Sequence, residues 1–265
     1  MELISVLGTA GVVGGIGLVC GSALAYIASK FGVPENEKVL EVTESLPGIN
    51  CGGCGYAGCA DYAKAIVDRE EALNLCAPGG AATAATLGTL MGQTVEASEP
   101  KMALIRCTGD LKDSKRRYAY NGITDCIAAQ ALHGGDKECP YGCLGYGTCA
   151  RVCPTDAIVV ENGLARVDRD KCIACGACVK VCPRALIKLV PRSHKIHVLC
   201  SSKDKGPVVK KYCATGCIGC RICTKLDAGG AFGMDGFLAV VDYAKPAATN
   251  PQLVEKCPGH CIRNT

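Results

Sequence analysis

Cys172, Cys175, Cys178 and Cys182 stand as C-x2-C-x2-C-x3-C, and Pro183 follows directly. Thiolates at this repeated short interval hold iron and sulfur: three ligate one [4Fe–4S] cube, and the one before proline reaches across to a second. Disulfides impose no such interval. The crossing demands a paired run upstream, and one is present. Cys143 and Cys149 sit six apart, as first and third ligands should, and Cys153 precedes Pro154, but position 146 is Tyr. Cys139 is the nearest substitute for the missing ligand. The expectation is therefore two cubes, one on Cys153, Cys172, Cys175 and Cys178, the other on Cys139, Cys143, Cys149 and Cys182.

A further four-thiolate set is Cys51, Cys54, Cys59 and Cys76, spaced C-x2-C-x4-C-x16-C among Gly52, Gly53, Gly55 and Gly58. Such glycines let a backbone wrap a bulky centre and turn N–H groups toward sulfur. Four thiolates also suit structural zinc, but the iron–sulfur spacing downstream favours a cluster. Near the C-terminus Cys217, Cys220 and Cys223 repeat C-x2-C-x2-C, yet Asp227 replaces the fourth cysteine, and residues 246–255 contain none before Cys257-Pro258. The two damaged runs can complete one cube, on Cys217, Cys220, Cys223 and Cys257, with Cys213 as an alternative ligand. The count is three clusters, a fourth in this last module, and a fifth if Cys107, Cys126, Cys200 and Cys213 meet; buried unreactive thiols are the other reading of those four.

The elements that must position these ligands are short. Residues 157–160, the Asn162-Gly163 turn and 164–167 read as a β-hairpin closing the ferredoxin repeat. Residues 60–75 read as a helix returning Cys76 to its partners. Residues 102–106 and 196–199 read as strands that end near Cys107 and Cys200 and could pair. Residues 32–45 and 77–100 read as linkers, the latter with a helical turn or two.

The first thirty residues differ in kind. Leu3 to Ala28 carries no charge and is bounded by Glu2 and Lys30. As a helix it reaches about 39 Å, more than the roughly 30 Å hydrocarbon core of a bilayer. A membrane anchor is expected over two other readings, a signal peptide, which lacks its basic start here and would export the thiolates to an oxidising space, and a buried core helix, which the length disfavours. Gly11 with Gly15, and Gly17 with Gly21, would admit a neighbouring helix. Lys30 and Lys38 follow the segment and no Lys or Arg precedes it, which places the rest in the cytoplasm. Cys20 is a small apolar side chain there.

Net charge of +4 in 265 residues is too small to imply nucleic acid as partner. The G-x-G-x-x-x-G of Gly15, Gly17 and Gly21 lacks the strand-turn-helix setting of a nucleotide site, so nicotinamide and flavin chemistry fall to other chains. His133, His194, His197 and His260 pair with no nucleophile, and no catalytic acid or base is assigned. Lys112, Lys115, Arg116 and Arg117, and separately Lys203, Lys205, Lys210 and Lys211, are either solvated faces or groups that steer an acidic protein.

With these motifs in hand, the chain resembles the B subunit of the Rnf membrane complex over nearly its whole length. The resemblance rests on the N-terminal apolar segment, the stretch from Cys51 to Cys59 with Cys76 beyond, and the runs from Cys139 to Cys182. It implies an α+β protein: 1–30 a transmembrane anchor, 31–77 a four-Cys domain, 78–100 a linker, 101–138 a connecting region, 139–192 a two-cluster ferredoxin-like domain and 193–265 a degenerate ferredoxin-like module. It further implies a component of an ion-translocating ferredoxin oxidoreductase that accepts electrons from reduced ferredoxin and passes them to sister subunits, with membrane lipid as another partner. The loss of ligands at 227 and in 246–255 departs from the pattern. A different class stays open, an anchored iron–sulfur scaffold or electron store serving another enzyme such as a corrinoid system.

Overall fold

A computed structural model describes residues 2–31, 36–95 and 99–265. The segment 32–35 of the first expected linker lies outside the described residues. Helix α1 (Glu2–Phe31) comes first. Its side chains from Gly11 to Ile27 are exposed without exception, Val12, Val13, Leu18 and Leu24 among them. Among the described residues no helix is long and apolar enough to cross a membrane. The expected transmembrane character of 1–30 is thus not a feature that the fold itself displays.

Three helices build the next unit: α2 (Glu37–Ser45), α3 (Cys59–Arg69) and α4 (Gly80–Met91). The Asn36 side chain accepts from Lys38 N–H at the start of α2, the ordinary N-cap contact. Val42 of α2, Tyr62 and Ile66 of α3 and Leu87 of α4 close one apolar core. Two expectations are corrected. Residues 37–45 are helix rather than linker, and the segment 78–100 holds a packed helix because Ala84 and Leu87 supply an apolar face that the core covers. The expected helix over 60–75 stops at Arg69, where Glu70 turns left-handed (φ 52°).

From residue 99 onward one arrangement occurs twice. The first copy runs β1 (Lys101–Ile105), α5 (Cys126–Ala131), α6 (Thr148–Arg151), β2 (Ile158–Glu161), β3 (Leu164–Val167), α7 (Ala177–Val181) and β4 (Ile187–Pro191). The second runs β5 (Ile196–Val198), α8 (Gly206–Tyr212), α9 (Ile222–Leu226), β6 (Phe232–Asp235), β7 (Leu238–Val241), α10 (Gln252–Glu255) and β8 (Ile262–Asn264). In each, the outer strands pair antiparallel, β1 with β4 and β5 with β8, and the inner strands form a hairpin, β2 with β3 and β6 with β7. The β2–β3 hairpin matches the sequence reading, Glu161 facing Leu164 around Asn162-Gly163. The expected pairing of 102–106 with 196–199 does not occur, because each strand closes its own repeat. Residues 101–138 are not merely connecting: β1 lies in the ferredoxin sheet, and Met102 to Ile105 are buried in its core.

The last module keeps this whole backbone although its sequence has lost ligands. At 227 the Asp carboxylate accepts from Phe232 N–H at 2.8 Å, capping the turn into β6. Leu253 of α10 is buried against the same core, so apolar packing occupies the region of the lost run.

Candidate iron–sulfur cages

Five sets of cysteines converge. The N-terminal cage takes Cys51, Cys54, Cys59 and Cys76; burial pushes the Cys76 thiol up, and the sulfurs of the other three add to the effect. Cys59 opens α3, and its N–H is held by the Asn50 side chain at 2.8 Å. Cys76 returns from a loop strapped by Tyr62, whose hydroxyl donates to Ala72 O at 2.6 Å and accepts from Leu75 N–H at 3.3 Å. Buried at 1% exposure, that tyrosine has its pKa pushed up to about 12.

The proximal ferredoxin cage is lined by Cys153, Cys172, Cys175 and Cys178, the set expected from spacing. Backbone N–H groups point at its sulfurs, Ala157 to Cys153 and Ala103 to Cys172, each at 3.3 Å. Its wall touches the N-terminal cage: a Cβ on Gly53 would fall 2.5 Å from Cys175 O, so only glycine allows the approach. Lys180 Nζ donates across the same seam to Gly52 O at 2.9 Å.

The distal ferredoxin cage corrects the grouping read from the sequence. Its lining cysteines are Cys126, Cys143, Cys149 and Cys182, and burial with these neighbours pushes Cys149 up to about 12. Cys139 is not among them. Asp125 caps α5 by accepting from Ile127 and Ala128 N–H; Thr148 donates to Asp125 at 2.8 Å and accepts from Cys126 N–H at 2.7 Å. These contacts set Cys126 beside Cys149. Tyr146, at the vacated ligand position, instead packs on Tyr120 with ring centroids 5.0 Å apart and accepts from Arg116 at 2.9 Å.

Cys139 belongs to a junction cage with Cys107, Cys200 and Cys213. Burial raises Cys139 to about 12, and the other three sulfurs contribute. Relative to the sequence reading of a fifth set, Cys126 and Cys139 exchange places. The cause is Arg184, whose guanidinium donates to Cys139 O at 2.7 Å, Gly142 O at 2.5 Å and Gly134 O, with Nε on Gln130 at 2.9 Å. That fork binds the loop 134–142 and turns Cys139 away from its sequence neighbours. Nothing in the cysteine spacing signals it.

The C-terminal cage is lined by Cys217, Cys220, Cys223 and Cys257, and by Cys261 as well. Cys261 Sγ lies 3.8 Å from Cys257 Sγ. Hydrogen bonding from Cys261 pushes Cys217 down to about 6 and Cys257 down to about 5. Cys261 stands four residues after its Cys-Pro cysteine, as Ala157 does in the proximal cage, and sequence reading gave it no role. Cys220 is exposed.

The donor sets fit a cube better than a lone ion. Four thiolates about 2.3 Å from one zinc would bring their sulfurs within about 4 Å of each other. Among the described residues no group of three or more His, Cys, Asp or Glu side chains is gathered to hold a single ion. Amide N–H groups aimed at sulfur, as at Cys153, Cys172 and Cys217, are the contacts that tune iron–sulfur centres.

Two of the histidines are fixed in the interior. His197 is fully buried with Nδ1 3.1 Å from the Tyr243 hydroxyl, and His194 packs edge-on to the same ring. Of the basic groups, Arg116 pairs with buried Asp136 and Lys203 with Asp235; Lys112, Lys210 and Lys211 remain exposed.

Paired strands and thiol cages of this kind define an iron–sulfur protein of ferredoxin type. Residues 46–78 match the FeS family model, an Fe-S cluster domain, and residues 165–188 match Fer4, a 4Fe-4S binding domain. Similar proteins include the B subunit of the proton-translocating ferredoxin:NAD(+) oxidoreductase complex of Clostridium ljungdahlii, 42% identical over 94% of this chain and 88% of that one. The B subunit of the Na(+)-translocating ferredoxin:NAD(+) oxidoreductase complex of Acetobacterium woodii is 41% identical over 97% of this chain and 78% of its own. The B subunit of the ion-translocating oxidoreductase complex of Methanosarcina acetivorans is 40% identical over 95% of both. The chain belongs to this family, the B subunits of Rnf-type ion-translocating oxidoreductases, and is an iron–sulfur electron-relay component of that class.

Proposed function

We propose that the chain takes single electrons from reduced ferredoxin and hands them to partner subunits of a membrane complex, itself containing neither a nicotinamide nor a flavin site. The carrying observation is the succession of five cysteine sets in one chain, with Cys220 of the last exposed and Cys51, Cys54, Cys59 and Cys76 of the first half-buried. Each set would hold one [4Fe–4S] cluster, which supplies one-electron chemistry at a potential governed by hydrogen bonds and burial. The ligands are Cys51, Cys54, Cys59 and Cys76; Cys153, Cys172, Cys175 and Cys178; Cys126, Cys143, Cys149 and Cys182; Cys107, Cys139, Cys200 and Cys213; and Cys217, Cys220, Cys223 and Cys257. The thiols release protons on loading, and the amide N–H groups named above stabilise the negative charge on sulfur.

Anchoring belongs to the same proposal. The charge-free stretch from Leu3 to Ala28 and the exposed apolar side chains of α1 support a single pass through the cytoplasmic membrane. Lys30 and Lys38 favour a cytoplasmic location for the cages.

The test is anaerobic stopped-flow mixing of the full chain in detergent with reduced low-potential ferredoxin. Bleaching of the iron–sulfur absorbance within the mixing experiment is expected. A loaded chain that takes up no electrons is a scaffold, and the relay reading fails.

A further inference from the structure

We infer that the cage of Cys107, Cys139, Cys200 and Cys213 is the electrical junction through which the ferredoxin pair and the C-terminal cage exchange electrons. This rests on the relay reading above and deepens it.

Its four sulfurs come in equivalent pairs from the two repeats. Cys107 stands two residues beyond the end of β1, and Cys200 two beyond the end of β5. Cys139 precedes Cys143 by four residues, and Cys213 precedes Cys217 by four. Each repeat supplies half of the site, so neither could build it alone. The hydrogen bonds leaving it are equivalent too. Cys143 N–H donates to Cys107 Sγ at 3.3 Å, and Cys217 N–H donates to Cys200 Sγ at 3.4 Å.

Both donors are residues whose own sulfurs line the next cage. The route from the junction to either neighbour is therefore one N–H···S contact and the few bonds from N through Cα and Cβ to Sγ. Electron tunnelling decays exponentially with the gap, so contacts this direct decide the path. Among the described residues no hydrogen bond joins the distal ferredoxin cage to the C-terminal cage without passing through this site. The order along the chain of cages is N-terminal, proximal, distal, junction, C-terminal. Each step oxidises one cluster and reduces the next by a single electron, with no atom transferred; reduced ferredoxin is the reductant.

The experiment uses the full chain purified without air in detergent, with iron analysis and paramagnetic resonance of the reduced state. The unaltered chain is expected to hold about twenty irons, and Cys213→Ser about sixteen, four per missing cube. The C-terminal signal, identified by its loss in Cys257→Ser, should be broadened by its neighbour in the unaltered chain and narrow in Cys213→Ser. Sixteen irons with an equally broad C-terminal signal would overturn the junction. An unaltered chain holding only sixteen, with the C-terminal cluster among them, would do the same, whereas failure of ferredoxin to reduce a fully loaded chain would strike the relay reading instead.

If Cys213→Ser loses more than one cube, Cys139→Ser is read in its place. The unaltered chain supplies a measurement needing no substitution. During stepwise reduction, one step must broaden the distal and C-terminal signals together; a titration in which no step affects both overturns the proposal.

Discussion

Lys137 Nζ donates to the carbonyl oxygen of Cys143 at 2.8 Å, and to that of Gly109 at 2.5 Å, from a side chain that is only 1% exposed. The ammonium therefore sits in the wall between the distal ferredoxin cage and the junction. A fixed cation favours the more negative, reduced state of a neighbouring centre. Lys137→Met should lower the midpoint potentials of both clusters and, by stranding two carbonyls, cost roughly 1–3 kcal/mol for each. Lys137→Arg should retain the potentials. A redox titration followed by paramagnetic resonance checks this, and unchanged potentials in the Met variant would refute it.

The exchange of Cys126 and Cys139 between cages can be read from iron counts. Ligands of one cube fail together, while ligands of different cubes fail separately. Cys126→Ser with Cys149→Ser should lose about four irons, no more than either substitution alone. Cys139→Ser with Cys149→Ser should lose about eight. The opposite pattern would restore the grouping that spacing suggests.

Tyr62→Phe removes both hydrogen bonds that strap the loop before Cys76. The expected cost is roughly 1–3 kcal/mol. Iron should leave the N-terminal cage first when chelator is added, with the ferredoxin clusters retained. Uniform loss from all cages would show that the strap is not local.

Burial lowers the His197 pKa to about 4, and its Nε2 has no partner in the interior. Below the ordinary value of about 6.5 the unfolded chain binds a proton that the folded chain refuses, so stability falls as pH falls through this window. Relative to His197→Gln, the unaltered chain should lose about 2 kcal/mol between pH 7.5 and pH 5. Anaerobic urea unfolding at the two values measures the difference, and equal losses in both proteins would rule out the buried imidazole as the cause.

Local spacing makes much of this molecule readable. Cys172, Cys175 and Cys178 share a cage because two intervening residues let one turn present successive sulfurs, and the Asn162-Gly163 turn sets its hairpin by the same local logic. Cys126 and Cys139 are unreadable for a different reason. Their destinations depend on Arg184 and Thr148, which reach them from distant points in the chain, and a search for the nearest cysteine sees neither. Residues 78–100 look like a linker because Ala, Gly and Thr dominate them, yet the burial of Leu87 is enough to dock α4. Asp227 marks a lost ligand in the sequence, but only the turn into β6 explains why a carboxylate stands there.

The ligand set that runs from Cys107 to Cys213 also imposes a timetable on synthesis. The N-terminal cage closes over a short loop and can mature soon after α3 leaves the ribosome, whereas the junction waits until nearly the whole ferredoxin region has emerged. Cysteine sets that close locally are thus complete in the emerging chain before the one that joins the two repeats. A nascent chain arrested before Cys213 would carry finished cofactors on its leading half with no conductor beyond them.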